Sequence, residues 1–475
     1  TLLKKLAVHL GEHKAALYAL STDTGATKTD SWIDIDGGIA TLHVYASKGR
    51  RELPNETFLL DGAVEGLSKR GSFVGRHLMT SLKGVAVHIN AFNFPVWGLL
   101  EKLGPAILAG VPVIAKPATA TAPLAESLAR LIAESGILPA GAFQFVAGSL
   151  GDLLDHLTGQ DVVSFTGSAA TAAMLQRQPR IAEQSVRFVA ERDSLNASIL
   201  GPDAVPGTPE FDLFVKGVVT EMTIKAGQKC TAIRRAIVPE ALVEPVGAAI
   251  AAKLAEVRIG HPGLETTRMG ALASLAQRRD VLAQVEKLKS EAEVICGEGG
   301  FIVDGADAEK GAFLAPILLR ARDAASARLV HEVEAFGPVS TLLGYRDLAE
   351  AADLVHRGEG SLVASLVTHD AAFARDFVLE TAASHGRILV LDRDCAKEST
   401  GHGSPLPQLV HGGPGRAGGG EEMGGVRGVH HYMQRTALQG SPAMLTAIGG
   451  SWIKGAPEVT KDEHPFRYAF DDLAL

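Results

Sequence analysis

The stretch "GVAVHINAFNFPVWGLLEKLGPAILAGVPVIAKP", residues 84–117, decides the fold class. "GVAVHIN" and "VPVIAKP" are short apolar runs typical of buried strands, and the segment between them repeats apolar positions at helical spacing and ends at Gly110. The alternation continues to residue 191, with strands over "GAFQFVAGS", "DVVSFTGS" and "SVRFVAE" and helices over "TAPLAESLARLIAESG", "LGDLLDHLTG" and "AATAAMLQRQ". Such alternation predicts βαβ units, a parallel sheet and the α/β fold class.

The flanking segments predict further elements. Helical periodicity covers residues 2–21 and about 31–50, and a second α/β region runs from about 197 to 410. That region contains a helix over "DLFVKGVVTEMTIKAG", a charged helix near 274–292 and a strand over "GRILVLD". The glycine-dense segment 411–428 follows. Its residues 413–418 formally match GxGxxG, but they lie far from the best βαβ run, so we expect a backbone-dominated loop.

Length and composition exclude several classes of protein. A chain of 475 residues predicts two or three structural units, and its net charge of −8 argues against a nucleic-acid surface. No run of 18 apolar residues predicts a membrane span, and the N-terminal segment is a poor signal peptide. Three cysteines lie far apart, which excludes a disulfide scaffold and favours a reducing, cytoplasmic location. The 16 histidines show no metal-binding spacing, so we expect no metal.

Polar or glycine residues end several of the predicted strands. In a parallel sheet these ends meet at one edge, where ligands bind. Lys116 ends one strand, and Gly148 and the pair Gly167–Ser168 follow two others just before predicted helices. Each is explained equally well by turn chemistry or by a phosphate at a helix N-terminus. Three in successive units favour a nucleotide site.

Three residues could carry covalent chemistry. Cys230, in "IKAGQKCT" (224–231), is either a small buried hydrophobic residue or a nucleophile. Glu191 ends a strand. It is either a helix-cap anion or a general base that faces the crevice. Asn93, in "NAFNFP", is either a turn residue or an oxyanion donor. Cys296 and Cys395 are interpreted as inert.

Taken in order, "AFNFP", "EKLGPAILAG", "VIAKPA", "SFTGS", Glu191, "GQKC" and "EAFGPV" resemble the aldehyde dehydrogenase superfamily over nearly the whole chain. The resemblance implies a Rossmann-like cofactor domain over 1–196, with oligomerisation strands at about 64–82, and a catalytic domain over 197–410. It implies that 411–475 returns to the cofactor domain and adds a C-terminal oligomerisation segment. Because Thr1 is not methionine and relatives have a further helical segment there, we expect a native start upstream.

The resemblance also implies roles. Cys230 is similar to the family nucleophile, Asn93 to the oxyanion-hole asparagine and Glu191 to the general base. Lys102 is similar to the lysine near the base, and Glu422 aligns with a second glutamate that relays protons. The thiolate would attack an aldehyde, the thiohemiacetal would transfer hydride to a nicotinamide, and water would hydrolyse the thioester. The residues expected at the cofactor are Ile89, Asn90, Ala91, Phe92, Lys116, Ala118, Thr119, Gly148, Thr166, Gly167, Ser168, Glu334 and Phe336.

Departures from the family pattern indicate one branch. "DSLNASILGPDA", after the unusual Arg192, and the segment 411–442 resemble the semialdehyde dehydrogenases of aromatic ring cleavage, including those of benzoate degradation. Within that branch the chain resembles the stand-alone enzymes, because little sequence follows "EHPFRYAF". The implied substrate is a CoA-linked semialdehyde and the implied assembly a homodimer. Thr119 replaces the glutamate that NAD-preferring relatives often carry, so we predict NADP, with NAD weaker.

Several alternatives remain open. A general aliphatic aldehyde dehydrogenase would share the same motifs. A CoA-acylating dehydrogenase would not need the base Glu191. An inactive structural relative is disfavoured by the joint presence of Cys230, Glu191 and Asn93. A cysteine hydrolase would leave the turns at Lys116 and Ser168 unexplained.

Overall fold

A computed structural model describes residues 1–457 of the chain, except for the side chain of Glu422. The N-terminal part is helical, as predicted, and a π-helical turn, Trp32–Asp36, joins its second and third helices. The helices are α1 (Leu2–Asp23), α2 (Lys28–Ser31) and α3 (Gly37–Glu52). Two antiparallel strands follow, β1 (Phe58–Gly66) and β2 (Val74–Ser81).

The alternating segment forms a five-stranded parallel sheet in the order β5-β4-β3-β6-β7, which confirms the predicted α/β class. The order reverses between β3 and β6, where such sheets bind ligands beyond their carboxyl ends. The elements are β3 (Ala86–Ile89), α4 (Pro95–Leu108), β4 (Val113–Lys116), α5 (Ala122–Glu134), β5 (Phe143–Phe145), β6 (Val162–Thr166), α6 (Ala169–Gln176), α7 (Pro179–Glu183) and β7 (Arg187–Glu191).

One predicted helix of this segment is wrong. Residues 150–159 form only a 3-10 turn, Leu153–His156, and the leucines around it pack beneath the sheet as part of a loop. The segment is bounded by Gly151 and Gly159, and helix formation is unfavourable in so short a stretch. Gly148 therefore does not precede a helix N-terminus.

The second α/β region forms a seven-stranded sheet in the order β11-β13-β14-β9-β8-β15-β16, parallel except for β11. β10 and β12 pair separately. The elements are β8 (Ala197–Leu200), α8 (Pro209–Thr223), β9 (Arg235–Pro239), α9 (Val243–Ala255), β10 (Ile259–Gly260), α10 (Leu275–Leu288), β11 (Ala292–Cys296), β12 (Val303–Asp304), β13 (Ile317–Ala321), β14 (Val339–Tyr345), α11 (Leu348–His356), β15 (Ser361–Val367), α12 (Ala371–Thr381) and β16 (His385–Leu391).

The last described segment packs beside α4 and pairs with β2. It comprises β17 (Val410–Gly412), β18 (Glu421–Met423), α13 (Val426–His430), β19 (Met433–Gly440) and α14 (Pro442–Gly449). β17 and β18 form a hairpin, and β19 pairs with β2, so that β1, β2 and β19 make a three-stranded antiparallel sheet. The GxGxxG match lies in the loop of the β17–β18 hairpin and contains only a 3-10 turn, Gly415–Ala417. It is a backbone-dominated loop, as predicted.

Each parallel sheet is buried on both faces, as the nearly continuous apolar strands require. Alternate residues of β3 and β6 point to opposite faces of the sheet. One face packs against α1, α3, α4 and α5, and the other packs against α6 and α7. In the second sheet one face packs against α10, α11 and α12 and the other against α8 and α9. Among residues 1–457, no helix combines the length and apolar character needed to cross a membrane.

Candidate active site

The carboxyl ends of β3 and β7 and the loop before β9 surround one cavity of about 310 Å³. The cavity lies at the predicted edge of the first sheet and is closed on its other side by α8. The structure thus brings together four of the five residues predicted for catalysis. The predicted site residues in its wall are Asn90, Ala91, Asn93, Lys102, Thr166, Glu191 and Cys230.

Cys230 reaches this cavity because the chain changes direction sharply just before it. The predicted helix over 212–227 is too long: α8 ends at Thr223, and Lys225 and Ala226 adopt left-handed φ angles of 54° and 50°. Such angles cost on the order of 1 kcal/mol or more in a non-glycine residue. The turn is held by Asp30, whose Oδ1 accepts a 2.7 Å hydrogen bond from the Lys225 N–H.

Two side chains that the sequence analysis did not single out fix the loop around Cys230. The Asn196 Nδ2 donates to the carbonyl oxygens of Cys230 and Ala232, at 2.7 and 3.0 Å. The buried Arg234 donates through Nη2 to the carbonyl oxygens of Gly227 and Lys229, at 2.9 and 3.2 Å. Asn196 lies within the stretch "DSLNASILGPDA" and Arg234 lies four residues after Cys230, but nothing in either sequence context indicated this role.

The thiol, a carboxylate and an imidazole meet at the centre of the cavity. The ligand atoms of Cys230, Glu191 and His411 lie within 4.8 Å of one another, so the thiol and the carboxylate are neighbours. Burial and then the Glu191 carboxylate raise the pKa of Cys230 well above its usual range, while Lys229 acts in the opposite direction. The thiol is therefore protonated at rest, with a carboxylate in place to accept its proton. Such a trio could also bind a metal, so the expected absence of a metal stays a prediction.

Glu191 is buried but ionised. Burial alone would raise its pKa, but the positive charge and hydrogen bond of His411, followed by the charge of Lys102, lower it to about 2. The Nε2 atom of His411 lies 2.9 Å from Glu191 Oε2, and both side chains are buried. Oε2 makes no well-aligned hydrogen bond, so we describe the contact as an ion pair. No sequence motif pointed to His411, which lies 220 residues after the base.

Lys102 lies in α4 beside the cavity, as expected of a lysine near the base. Its Nζ contacts Glu101 Oε1 at 3.1 Å, and the Trp97 indole donates to Glu101 Oε2 at 2.9 Å. The predicted second glutamate, Glu422, is paired through its backbone with His411 in the β17–β18 hairpin. Its side chain lies outside what the structure describes.

Several predicted cofactor residues gather around the switch point. Asn90 Oδ1 and Thr166 Oγ1, at the ends of β3 and β6, are buried without hydrogen-bond partners, and they line the cavity. Phe92 packs edge-on against Phe336, with ring centroids 5.9 Å apart. Ile89 ends β3 immediately before these residues.

Glu334 joins the same corner. Its Oε1 contacts Arg234 Nε at 3.3 Å, and its Oε2 accepts from the Ser194 N–H at 3.2 Å. Burial, opposed by Arg234 and reinforced by Asp193, raises the pKa of Glu334 to about 7. The Arg234 guanidinium also lies over the Phe336 ring, 5.4 Å from its centroid.

The remaining predicted cofactor residues lie further along the edge of the sheet. Lys116 ends β4, Ala118 follows it, and Thr119 is exposed at the start of a 3-10 turn. Gly148 lies in an exposed loop with a φ of 115°.

Gly167 and Ser168 lie between β6 and α6. The Gly167 N–H donates to the Glu191 carbonyl, and Ser168 caps α6. The Asp193 carboxylate accepts from the Ala169 N–H at 2.9 Å. It therefore occupies one of the N–H groups that the sequence analysis offered to a phosphate.

The comparisons with known proteins agree with this geometry. The family model described as "Aldehyde dehydrogenase family" matches residues 1–438. The chain belongs to the aldehyde dehydrogenase family. It is thus similar to oxidoreductases that act on aldehydes.

Two individual relatives share about half of their aligned residues with this chain. The chain is 47% identical to the 3,4-dehydroadipyl-CoA semialdehyde dehydrogenase of Aromatoleum evansii over 414 residues, which are 87% of this chain and 80% of that protein. It is 51% identical to Protein MaoC of Klebsiella aerogenes over 207 residues, 43% of this chain and 60% of that protein.

Solved structures of the family share the fold. Betaine aldehyde dehydrogenase of Staphylococcus aureus in complex with NAD+ superposes with a TM-score of 0.78 at 23% identity, covering 93% of this chain and 82% of that one. Succinic semialdehyde dehydrogenase of Streptococcus pyogenes in complex with NADP+ also gives 0.78, at 20% identity, covering 92% of this chain and 88% of that one. The family therefore uses both nicotinamide dinucleotides.

Proposed function

We propose that this aldehyde dehydrogenase oxidises a CoA-linked semialdehyde, 3,4-dehydroadipyl-CoA semialdehyde, to its carboxylic acid in benzoate catabolism, with NADP+ as the oxidant. The observation that carries the proposal is that Cys230 and Glu191 lie side by side, within 4.8 Å, in one cavity with Asn93. The choice of substrate is supported by the 47% identity to the Aromatoleum enzyme.

The first half of the proposed reaction forms a covalent adduct. Glu191 accepts the proton of the Cys230 thiol, and the sulfur then bonds to the aldehyde carbon. The oxygen of the resulting thiohemiacetal becomes negatively charged. The amide of Asn93 and the backbone N–H of Cys230 are the donors we assign to this oxyanion, and in a site screened from water each has a large effect on rate.

The residues at the switch point fit a nicotinamide dinucleotide. The buried, unpartnered oxygens of Asn90 and Thr166 offer hydrogen-bonding positions at the carboxyl ends of β3 and β6. Glu334 and Phe336 would hold the nicotinamide ribose, as in the family. When bound, the dinucleotide takes up the hydride that the adduct releases.

The second half of the reaction is hydrolysis. The thioester on Cys230 is attacked by a water molecule that Glu191 deprotonates, and the Cys230 sulfur leaves. The low pKa of Glu191 keeps it ionised for this role. Lys102 and Glu422 are the further residues that we propose carry protons away from Glu191. They do so first after it has accepted the thiol proton, which frees the carboxylate for hydrolysis, and again after it has deprotonated the water.

NADP+ is our proposed cofactor because of the residues after β4. Thr119 is exposed there, close in sequence to the Lys116 that ends the strand. A hydroxyl beside an ammonium can accept a 2′-phosphate, which a carboxylate in the same place would repel. NAD+ is expected to work less well.

The cavity limits how a CoA thioester can bind. A volume of about 310 Å³ is at the small end for ligand pockets and suits an acyl chain, whereas the nucleotide part of CoA needs more room. We therefore propose that the aldehyde end enters the cavity while CoA stays at its mouth. The buried pair of Lys229 and Glu221, 2.7 Å apart, makes the inner wall polar.

The domain roles and the assembly belong to the same proposal. Residues 1–196 would bind the cofactor and 197–410 would supply the thiol, while 411–475 would return to the cofactor domain. We propose a homodimer that uses the strands at about 64–82 and the C-terminal segment. The sheet of β1, β2 and β19 supports this, because it leaves an exposed antiparallel surface.

A kinetic screen tests the proposal. The purified protein is assayed with the CoA-linked semialdehyde, the matching free semialdehyde and simple aliphatic aldehydes, each with NADP+ and with NAD+. We expect the highest kcat/KM for the CoA-linked substrate with NADP+. Equal kcat/KM for simple aldehydes would favour a general aldehyde dehydrogenase. Conversion of the aldehyde carbon to a second CoA thioester when free CoA is added would favour the acylating reaction, and a free carboxylate at that carbon would exclude it.

A further inference from the structure

The imidazole of His411 is in direct contact with the carboxylate of Glu191. It lies in β17, and its Nε2 is 2.9 Å from Glu191 Oε2, with 4% and 3% of the two side chains exposed. A buried carboxylate with a cation beside it can be a purely structural pair. Two further observations distinguish the pair of His411 and Glu191 from a purely structural ion pair.

The first observation is what else surrounds the pair. On the side of α4, Lys102 contacts the carboxylate of Glu101 at 3.1 Å. On the side of the nucleophile loop, Glu191 meets the Cys230 thiol. On the side of β18, His411 is paired with the backbone of Glu422. The imidazole lies beside both the carboxylate and the sulfur, since the ligand atoms of His411, Glu191 and Cys230 are all within 4.8 Å of one another.

The second observation is how tightly the backbone around the pair is fixed. The hairpin loop that follows His411 packs against the end of β7, where a Cβ atom on Gly418 would lie 1.7 Å from the Ala190 carbonyl oxygen. The Arg192 N–H donates to the Ala417 carbonyl at 3.1 Å. The residues on both sides of Glu191 are therefore attached to the segment that carries His411.

We propose that His411 is a positioning residue, which holds the Glu191 carboxylate towards the acyl group on Cys230 and keeps it ionised during hydrolysis of the thioester. This inference rests on the proposed function, in which Glu191 is the base. In the step concerned, a water O–H bond breaks and its proton goes to Glu191. The water oxygen bonds to the carbonyl carbon, the C–S bond breaks, and Cys230 leaves as a thiolate. In this step His411 forms and breaks no bond itself and acts through Glu191.

The charge on His411 has a further consequence for pH dependence. Burial raises the pKa of Glu191, and the neighbouring His411 imidazole lowers it more than Lys102 does. Without the imidazole, Glu191 would be protonated at a higher pH, and a protonated carboxyl cannot accept a proton from water. The acidic limb of the hydrolysis rate should then move to higher pH.

The test uses p-nitrophenyl acetate, which acylates a reactive cysteine without a semialdehyde or a dinucleotide. Release of nitrophenol reports acylation, and intact-protein mass spectrometry follows loss of the acetyl group across a pH series. Two variants are compared with the wild type. His411→Leu removes the positive charge and the N–H, whereas His411→Gln retains an N–H donor at a similar reach but no charge.

For His411→Leu we expect the optimum rate of deacetylation to fall about tenfold or more. His411→Gln should stay within about threefold of the wild type at its optimum, because the N–H still orients the carboxylate. In both variants the acidic limb should move up by about one pH unit or more. His385→Gln is the matched control. His385 is a buried histidine outside the cavity that bonds to Ser361, so its deacetylation profile should match the wild type.

Wild-type rates and an unmoved acidic limb in His411→Leu would overturn the inference. A His411→Gln variant as slow as His411→Leu at every pH would overturn it as well. If the wild type hydrolyses the acetyl-enzyme but oxidises no semialdehyde, the proposed function fails and the role of His411 stands. If the wild-type acetyl-enzyme is not hydrolysed at all, both fail.

Discussion

The side-chain amide of Asn196 donates a 2.7 Å hydrogen bond to the carbonyl oxygen of Cys230, across 34 residues of sequence. The same Nδ2 bonds to the Ala232 carbonyl at 3.0 Å, and Asn196 Oδ1 accepts from Ser194 Oγ at 2.7 Å. The loop that carries the thiol is thus attached to the start of β8, the strand that follows the base.

Asn196→Ala should therefore lower both stability and activity. The substitution leaves two carbonyl oxygens without their donor, which costs about 1–3 kcal/mol for each buried group. We expect a lower Tm and a fall of about tenfold or more in kcat/KM, measured by thermal unfolding and by aldehyde oxidation. Asn55→Ala, at an exposed position, is the control. An unchanged kcat/KM in Asn196→Ala would mean that the loop holds its position without the amide.

Glu191→Gln should separate the two halves of the reaction. Gln can accept neither the thiol proton nor a proton from water, but removing the carboxylate also removes one cause of the raised Cys230 pKa, so the thiol can lose its proton to solvent instead. We expect a first turnover of nucleotide reduction that is slowed but still occurs, followed by a steady-state rate lower by about 100-fold. Stopped-flow absorbance measures both phases. Glu183→Gln, on the exposed side of α7, should behave as the wild type, and loss of the first turnover in Glu191→Gln would contradict the assignment.

Thr119→Glu should change the cofactor preference. A carboxylate at this exposed position repels a 2′-phosphate and can accept hydrogen bonds from ribose hydroxyls instead. We expect the ratio of kcat/KM for NADP+ over NAD+ to fall by about tenfold or more, since a charge contact of this kind is worth one or more kcal/mol. Ala120→Glu, one exposed residue further on, controls for the added charge. Equal ratios in the wild type and Thr119→Glu would reject the predicted preference.

Gly418→Ala should damage the site through the backbone. A Cβ at Gly418 would lie 1.7 Å from the Ala190 carbonyl oxygen, so the end of β7 and its Glu191 must move. We expect a large loss of kcat with a lower Tm. Gly419→Ala is a close control, because Gly419 also has a positive φ, of 78°, but open space around it. That variant should lose only about 1 kcal/mol of stability and keep its kcat.

Asp34 should make stability depend on pH. Its Oδ1 accepts from the N–H groups of Val96 and Trp97, at 3.1 and 2.7 Å, and burial raises its pKa from 3.8 to about 7. Between these values the folded chain binds more protons at Asp34 than the unfolded chain, so this residue's contribution to stability falls as the pH rises from about 4 to 7. The loss is up to about 4 kcal/mol.

Asp34→Asn cannot ionise, so its free energy of unfolding relative to the wild type should increase over that pH range. Urea unfolding at a series of pH values measures it, with Asp23→Asn, at an exposed position, as the control. A constant difference between Asp34→Asn and the wild type would show that Asp34 is already charged at low pH.

Much of the first sheet could be predicted from the sequence, because its strands are apolar and their ends carry the polar residues. Glu191 and Asn93 fall at those ends for this reason. The turn before Cys230 could not be predicted, since Lys225 and Ala226 are not residues that favour positive φ. Their conformation is imposed by Asp30 and by the close approach of Gly227 to Gly337.

His411 escaped prediction for a different reason. Neither its neighbours nor its spacing resembles a catalytic pattern, and its position beside Glu191 depends on a hairpin that forms only when the chain has crossed back from the second sheet. The wrong prediction of a helix over residues 150–159 has a simpler cause. Its leucines have helical spacing, but glycines bound the segment and tertiary packing decides its conformation.

The return of the chain through β17 and β19 has a consequence for biosynthesis. During translation, a nascent chain that has emerged only as far as residue 400 already contains Cys230, Glu191 and Asn93, but it lacks His411 and the strand that pairs with β2. The reactive thiol therefore acquires its complete surroundings only after the residues beyond 410 have emerged. Synthesis itself orders the events, so that the edge of β2 is covered and the active site is completed in the same late step.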